Sequence, residues 1–377
     1  MTAAFISVIL PTYNRADLIG ETLESLFAQT RRPDEILVID DGSTDGTAAL
    51  LANYGDSLRV LRHDNAGKAV SLNRGLASVR GDLIWIVDDD DILVPDACAH
   101  LAHALEADPT LDFCAGRHLD FTHDPVAGAK VLRAPGYMRS SSPGRIFPDL
   151  LEGCHIFQPG LMVRSRVYGA VGPFRDDLVR SQDYEMILRL SRRHRGVQLD
   201  EVVFWHRDHE GARGQAGNRF SAAQNADRWA AFNAQIFSEL LADLSDAELF
   251  SPAEWSATPV DARPRLARIA RATIKARQRM WSEALSDIEV AARLGGGGLS
   301  ALERALLGRA SLSSLGTPEL IADTGLHARV RGLRRLGPLG SVCRNVLRKS
   351  MRWQLRRALA QHDLRRSLSI TRFFLRT

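Results

Sequence analysis

Little in this chain of 377 residues suits a secreted or membrane-spanning protein. Only four cysteines occur, Cys98, Cys114, Cys154 and Cys343, too scattered for a zinc site or a disulfide framework. They read as reduced, partly buried thiols of a cytosolic protein. No apolar run approaches the roughly 18 residues needed to cross a bilayer. The apolar run Phe5–Leu10 has no basic segment before it and breaks at Pro11, so no secretion signal is expected. Glycine-rich phosphate cradles are missing as well. PTYNRADLIG, which follows that run, offers no G-x-G-x-x-G turn, and no G-x-x-x-x-G-K-[ST] loop is present. A nucleotide, if one binds, must be held through side chains and metal.

Acidic residues are scarce in one place only. From Gly325 to Thr377 a single acid, Asp363, faces fourteen Arg and Lys, a net of about +13, so the preceding residues carry about −9 of the overall +4. Within the basic stretch Val346, Leu347, Met351, Leu355 and Leu359 recur at helical spacing among Arg344, Arg348, Lys349, Arg352, Arg356 and Arg357, with Trp353 beside them. Such an amphipathic helix suits three partners: an anionic membrane surface, the acidic remainder of the chain, or nucleic acid. No nucleic-acid module accompanies it, so nucleic acid is not expected.

The first hundred residues alternate short apolar runs with helical patterns, the signature of βα units feeding a mostly parallel sheet. Phe5–Leu10 and Glu35–Asp40 are β-branched runs that read as buried strands, with further strands over 58–61 and 82–87. Leu18, Ile19, Leu23, Leu26 and Phe27 mark one helix and residues 68–79 another. After an irregular stretch from 112 to 174, helical spacing returns at 183–190, and Val202–His206 reads as a strand. Beyond about residue 217 nearly everything reads helical, broken by GGGG at 295–298. The expected organisation is a catalytic domain over 1–215, a helical extension over 216–324 and a basic helical tail over 325–377.

Three polar clusters follow strands: PTYNR, DDGSTDGT and DDDD, the last being Asp88–Asp91. Ligands of open α/β sheets bind outside the carboxyl ends of the strands, so the three should converge on one crevice. Carboxylates there suit Mg²⁺ or Mn²⁺, hard cations that take oxygen ligands. If the strand continues through the acidic run, side chains alternate, and Asp88 and Asp90 share a side opposite Asp89. Asp89 and Asp91 would then tolerate replacement better. A competing reading makes the run a solvated turn, with Asp91 or Asp96 capping a helix that begins near Pro95. In DDGSTDGT, Ser43 is a candidate helix cap and Gly42 permits a sharp turn.

Taken in order, SVILPTYNR, ILVIDDGSTDGT, DNAGKAVSLNRGLASVRGDLIWIVDDDD and GPFRDDLVRSQDYEMILRL resemble the family 2 inverting glycosyltransferases of GT-A fold, over about Ile6 to His209. The resemblance implies an α/β fold of Rossmann-like type with a flanked central sheet, followed here by a mostly α-helical region. It implies donor contacts from Thr12, Tyr13, Arg15, Asp40, Asp41, Asn65, Gly67, Lys68, Asp88 and Asp89. It also implies a Mn²⁺ or Mg²⁺ ion on Asp90 and Asp88 with His209 near the diphosphate, and Asp183 as catalytic base. Gln182 stands where members often carry Glu, so one carboxylate must serve. QNADRW, at 224–229, has one residue too many for the Q-x-x-R-W motif of processive members, which favours a non-processive enzyme. The implied partners are a nucleotide-diphosphate sugar, taken as a UDP-sugar, and a glycan or lipid-linked acceptor. The implied place is the cytoplasm or the inner face of the membrane, in surface polysaccharide synthesis. Two other classes stay open: a nucleotidyltransferase, which would need a basic glycine-rich N-terminal loop, and a non-catalytic sugar-binding module.

Overall fold

The structure is a computed structural model that describes residues 3–123, 129–133, 140–208, 222–294, 297–313 and 315–377. The chain divides into two compact units, one of residues 1–150 with 154–225 and one of 226–377 with 151–153.

The first unit is built on nine strands: β1 (Ile6–Thr12), β2 (Glu35–Asp40), β3 (Arg59–Arg62), β4 (Leu83–Ile86), β5 (Ile92–Leu93), β6 (Phe113–His123), β7 (Lys130–Arg133), β8 (Leu161–Arg164) and β9 (Gly196–Arg207). Their order is β3-β2-β1-β4-β8-β6-β9-β5, with β7 paired to β6. The expected parallel arrangement holds across β3-β2-β1-β4. Beyond β4 the sheet is mixed, because β8 runs antiparallel to both β4 and β6 while β9 returns parallel to β6. The α/β, GT-A-like class stands, with that mixed half added.

Among the described residues seven α-helices accompany the sheet: α1 (Ile19–Phe27), α2 (Thr47–Ala52), α3 (Lys68–Ser78), α4 (Ala97–Ala107), α5 (Ile146–Glu152), α6 (Ser165–Val171) and α7 (Gln182–Arg193). All of β1 is buried, which its β-branched run anticipates for a strand covered on both faces. Ile6, Val8 and Leu10 point into a core with Leu23 and Leu26 of α1 and Leu101 of α4. Ile9, of opposite parity, meets α3. Burying each such side chain contributes about 1.5–3 kcal/mol, and this core fixes where the strands end. Register then sets Thr12 beside Asp40 and Asp40 beside Arg62, so the loops that follow open at one edge.

Among the described residues nine α-helices follow: α8 (Ala222–Asp243), α9 (Pro252–Ala257), α10 (Arg263–Arg277), α11 (Trp281–Arg293), α12 (Ala301–Arg309), α13 (Thr317–Ala322), α14 (Thr324–Gly332), α15 (Gly337–Ala360) and α16 (Leu364–Arg376). Starts are marked by capping boxes at Ser251 with Glu254 and at Ser300 with Glu303. Ile269, Trp281, Leu285, Leu307, Leu347 and Met351 are all buried in the second unit, and the Trp281 indole donates to Gly316 O at 2.8 Å. The basic stretch from residue 325 belongs to this unit, and the apolar row read in its sequence lies inward at Leu347 and Met351. No described helix is long and apolar enough to cross a membrane. All four cysteines are free thiols, Cys154 exposed and the other three buried.

Candidate active site

Two loops at the carboxyl ends of β1 and β2 are tied by Asn14, whose backbone adopts φ +53. Its Oδ1 accepts from Thr44 N at 2.7 Å, and its own amide donates to Ser43 Oγ at 2.9 Å. Arg15 N donates to Thr47 Oγ1 at 3.0 Å, which fixes the root of the arginine. Asn14 was not singled out in the sequence, although small polar residues that tolerate positive φ are the expected clamp for such a bend. The cap assigned to Ser43 is corrected here: α2 starts at Thr47, and Ser43 serves the neighbouring loop.

Asp40 and Asp41 have different tasks. Asp41 is an internal staple that accepts from Ala66 N at 2.7 Å and Gly67 N at 2.9 Å, with Asn65 Nδ2 at 3.2 Å. It shapes the entry to α3 in the way backbone amides are normally satisfied. Gly42, at φ +78, passes so close that a Cβ would lie 2.8 Å from Asn65 N. Only glycine fits both the conformation and the space. Asp40, fully buried, accepts from Ser43 N at 2.8 Å through Oδ1. Its Oδ2 makes no hydrogen bond in the protein, the ion pair with Arg62 Nε spanning 3.5 Å. A buried carboxylate oxygen left in that state suits an N–H supplied from outside.

The four aspartates do not extend β4. The strand ends at Ile86, and Asp91 N reaches back toward Asp88 O at 3.4 Å, so the run is a turn. The alternation expected of a strand is therefore replaced by a different division. Asp88 takes Lys68 Nζ at 2.5 Å. Asp89 lies 3.6 Å from Arg15 Nε and Asp90 3.9 Å from Arg15 Nη2. Asp91 is buried and accepts from Arg207 N at 2.9 Å, while Arg207 Nε donates to Asp90 O at 2.7 Å. Arg207 also pairs with Glu21 and lies over the ring of Phe121. Asp91 is thus an anchor, contrary to the expectation that it tolerates replacement. Asp96 precedes α4 without a side-chain cap, accepting instead from Thr30 Oγ1 at 2.8 Å.

Charge is crowded in this turn. Burial, and then the neighbouring Asp90, push the Asp89 carboxyl up to about 7. Burial lowers the Lys68 ammonium, but Asp88, Asp183 and Asp90 together outweigh it and raise the ammonium above its ordinary value. Lys68 therefore lies in the field of carboxylates from two distant parts of the sequence.

Asp183 comes from the first turn of α7, after Ser181 at φ +59. It is not the cap of that helix, though its Oδ1 accepts from the adjacent Tyr184 N at 2.8 Å. Three ties hold the start of α7. The Tyr184 hydroxyl donates to Leu150 O, Arg189 pairs with Glu185, and Arg189 Nη1 donates to Val171 O at 2.6 Å. Across the crevice, Asn73 of α3 exchanges two hydrogen bonds with the backbone of Phe174, at 2.9 and 2.8 Å. That clamp, unmarked in the sequence beyond the GPF run, fixes α3, and hence Lys68, against the segment leading to α7.

Thr12, Tyr13, Arg15, Asp40, Asn65, Gly67, Lys68, Asp88, Asp89 and Asp90 are placed together around the carboxyl edge, and the Asp183 carboxylate is near enough to Lys68 to act on it electrostatically. His209 lies outside the described residues. For a divalent cation, the donor set is all carboxylate oxygen, which fits Mn²⁺ or Mg²⁺ in kind. Among the described residues no three His, Cys, Asp or Glu side chains form a ready cage.

Residues 7–160 match the family model described as Glycosyl transferase family 2. An uncharacterized glycosyltransferase of Rickettsia typhi is 25% identical over 211 residues, covering 54% of this chain and 64% of that one. The uncharacterized glycosyltransferase YibD of Escherichia coli is 28% identical over 192 residues, covering 48% and 56%. The chain thus spans about three-fifths of the length of these relatives. Among solved structures, residues 1–349 of Staphylococcus aureus TarS in complex with UDP-GlcNAc are similar with a TM-score of 0.51 at 19% identity, covering 93% of this chain and 92% of that one. That likeness shows the fold. The matched segment, residues 7–160, is thus similar to the family 2 glycosyltransferases.

Proposed function

We propose that the chain is an inverting, non-processive glycosyltransferase that moves a sugar from a nucleotide-diphosphate donor to a hydroxyl of a glycan or lipid-linked acceptor, in surface polysaccharide synthesis. The observation that carries this reading is the gathering of Arg15, Lys68 and the Asp88–Asp90 turn at one sheet edge, with Asp183 near enough to act on Lys68 electrostatically. In this reading Asp40 Oδ2 accepts from a base N–H, and Tyr13 lies along the base. Arg15 and Lys68 hold the diphosphate. Asp90 and Asp88 would hold a Mn²⁺ or Mg²⁺ ion, which when bound would supply Lewis-acid stabilisation of the leaving diphosphate.

Asp183 accepts the proton of the acceptor hydroxyl as its oxygen bonds to the anomeric carbon. The bond from that carbon to the diphosphate oxygen breaks in the same step, and its electron pair leaves with the nucleoside diphosphate. A single displacement inverts the anomeric centre. With Gln182 beside it, Asp183 has no second carboxylate to share the proton. The tie to Tyr184 N orients the base.

UDP-GlcNAc, the donor in the TarS complex, is the first to test. A thermal-shift screen of nucleotide-sugars with and without Mn²⁺ should find one donor that raises Tm only with metal; at one hundred times Kd the gain is about 2.7 kcal/mol. A screen in which no nucleotide-sugar stabilises the chain under either condition contradicts the proposal.

A further inference from the structure

The α15–α16 hairpin presents a second apolar row that the helical packing does not use. On α16 the inward face is Ser367, Ile370 and Phe373, all buried. Leu364, Leu368 and Leu375 lie on the opposite side, being 73, 60 and 82% exposed. Their spacing of four and seven residues places them within one narrow stripe of an α-helix. Arg365, Arg372 and Arg376 follow each leucine by one or four positions and so line one flank of that stripe, all exposed. Among the described residues none of these three arginines has an acidic partner within 4 Å. On α15, Trp353 and Leu359 are each 54% exposed, although the inward residues Leu347 and Met351 are covered.

Three leucines this exposed on a short helix exceed the scattered apolar residues of an ordinary surface, and a contiguous row marks an interaction site. The flanking charge selects the partner. A row of unpaired arginines beside leucines matches an interface that is anionic at its surface and apolar just beneath, which is a lipid bilayer with acidic headgroups. Nucleic acid would use the arginines but leave the leucines in water. We infer that the outer face of α16 docks the chain on an anionic membrane, with Leu364, Leu368 and Leu375 entering the acyl boundary and Arg365, Arg372 and Arg376 at the headgroups. The apolar row read from residues 346–359 is not the docking element, since its main members are buried in the helical unit. This surface is independent of the catalytic reading and stands or falls separately.

Flotation of the full chain with vesicles tests it. Phosphatidylcholine vesicles containing about 30% phosphatidylglycerol should carry the protein up the gradient at low salt, and pure phosphatidylcholine should not. Leu364→Ser/Leu368→Ser/Leu375→Ser should weaken partitioning by about tenfold or more, with a melting curve that matches the parent because the three side chains are exposed. Arg365→Gln/Arg372→Gln/Arg376→Gln should weaken it comparably and flatten its salt dependence. Flotation indifferent to phosphatidylglycerol overturns the inference. So does unchanged partitioning of the leucine variant, or self-association in sedimentation that the leucine substitutions abolish while no vesicle is bound.

Discussion

Buried charge is handled in opposite ways by the two units. In the helical unit it is closed off: Arg265 meets Glu303 at 2.7 Å with both side chains nearly inaccessible, and Asp287 takes Arg268 and Lys275 at 2.9 and 2.6 Å. Burial raises the Glu303 carboxyl, but its bonds to Arg265 and Ser300 bring it below the usual range. At the carboxyl edge of the sheet carboxylates outnumber their cations, Arg15 serves Asp89 and Asp90 at distances beyond a hydrogen bond, and Asp89 is pushed toward neutrality. Closed pairs hold a structure; an excess of one sign holds a place for a ligand of the other.

Breaking the closed side gives the largest stability change. Glu303→Ala strands Arg265 in a dry site and removes a capping residue, so unfolding should lose about 3–5 kcal/mol, read by denaturant titration of the full chain. At the carboxyl edge, Asp91→Ala leaves Arg207 N and its neighbours unsatisfied. It should lose about 1–3 kcal/mol by the same titration, whereas Asp89→Ala, which relieves repulsion with Asp90, should cost nothing measurable. A double replacement on the closed side sharpens the contrast. Arg265→Met/Glu303→Met replaces both charges with apolar side chains and should lose only about 1 kcal/mol, the share of the capping box at Ser300. If it loses as much as Glu303→Ala, the pair is more than a compensated charge.

Legibility in the sequence followed the range of the interactions. Buried strands were readable because a β-branched run covered on two faces is a local property, as β1 and β2 show. The approach of the three polar clusters follows from chain direction in parallel strands: register sets Thr12 beside Asp40, and Arg15 lies 3.6 and 3.9 Å from Asp89 and Asp90. The acidic run misled, because it lies in a turn closed by Arg207, more than a hundred residues away. Asp41 read as a ligand contact, yet the amides of Ala66 and Gly67 that it holds come from another loop. Ser43 had the chemistry of a cap, but the next helix begins four residues later. In the tail the helical period was clear, while the side of each helix that faces inward depended on neighbours. The row on α16 became visible only once Ile370 and Phe373 were seen to be covered.

Transfer by Asp183→Asn tests the catalytic account most directly. The substitution keeps size and the bond to Tyr184 N but removes the proton acceptor. With the donor identified by the thermal screen, turnover should fall by about 10²–10⁴-fold while donor affinity and Tm stay at the parent values. Turnover equal to that of the parent would contradict the assignment of Asp183 as the base.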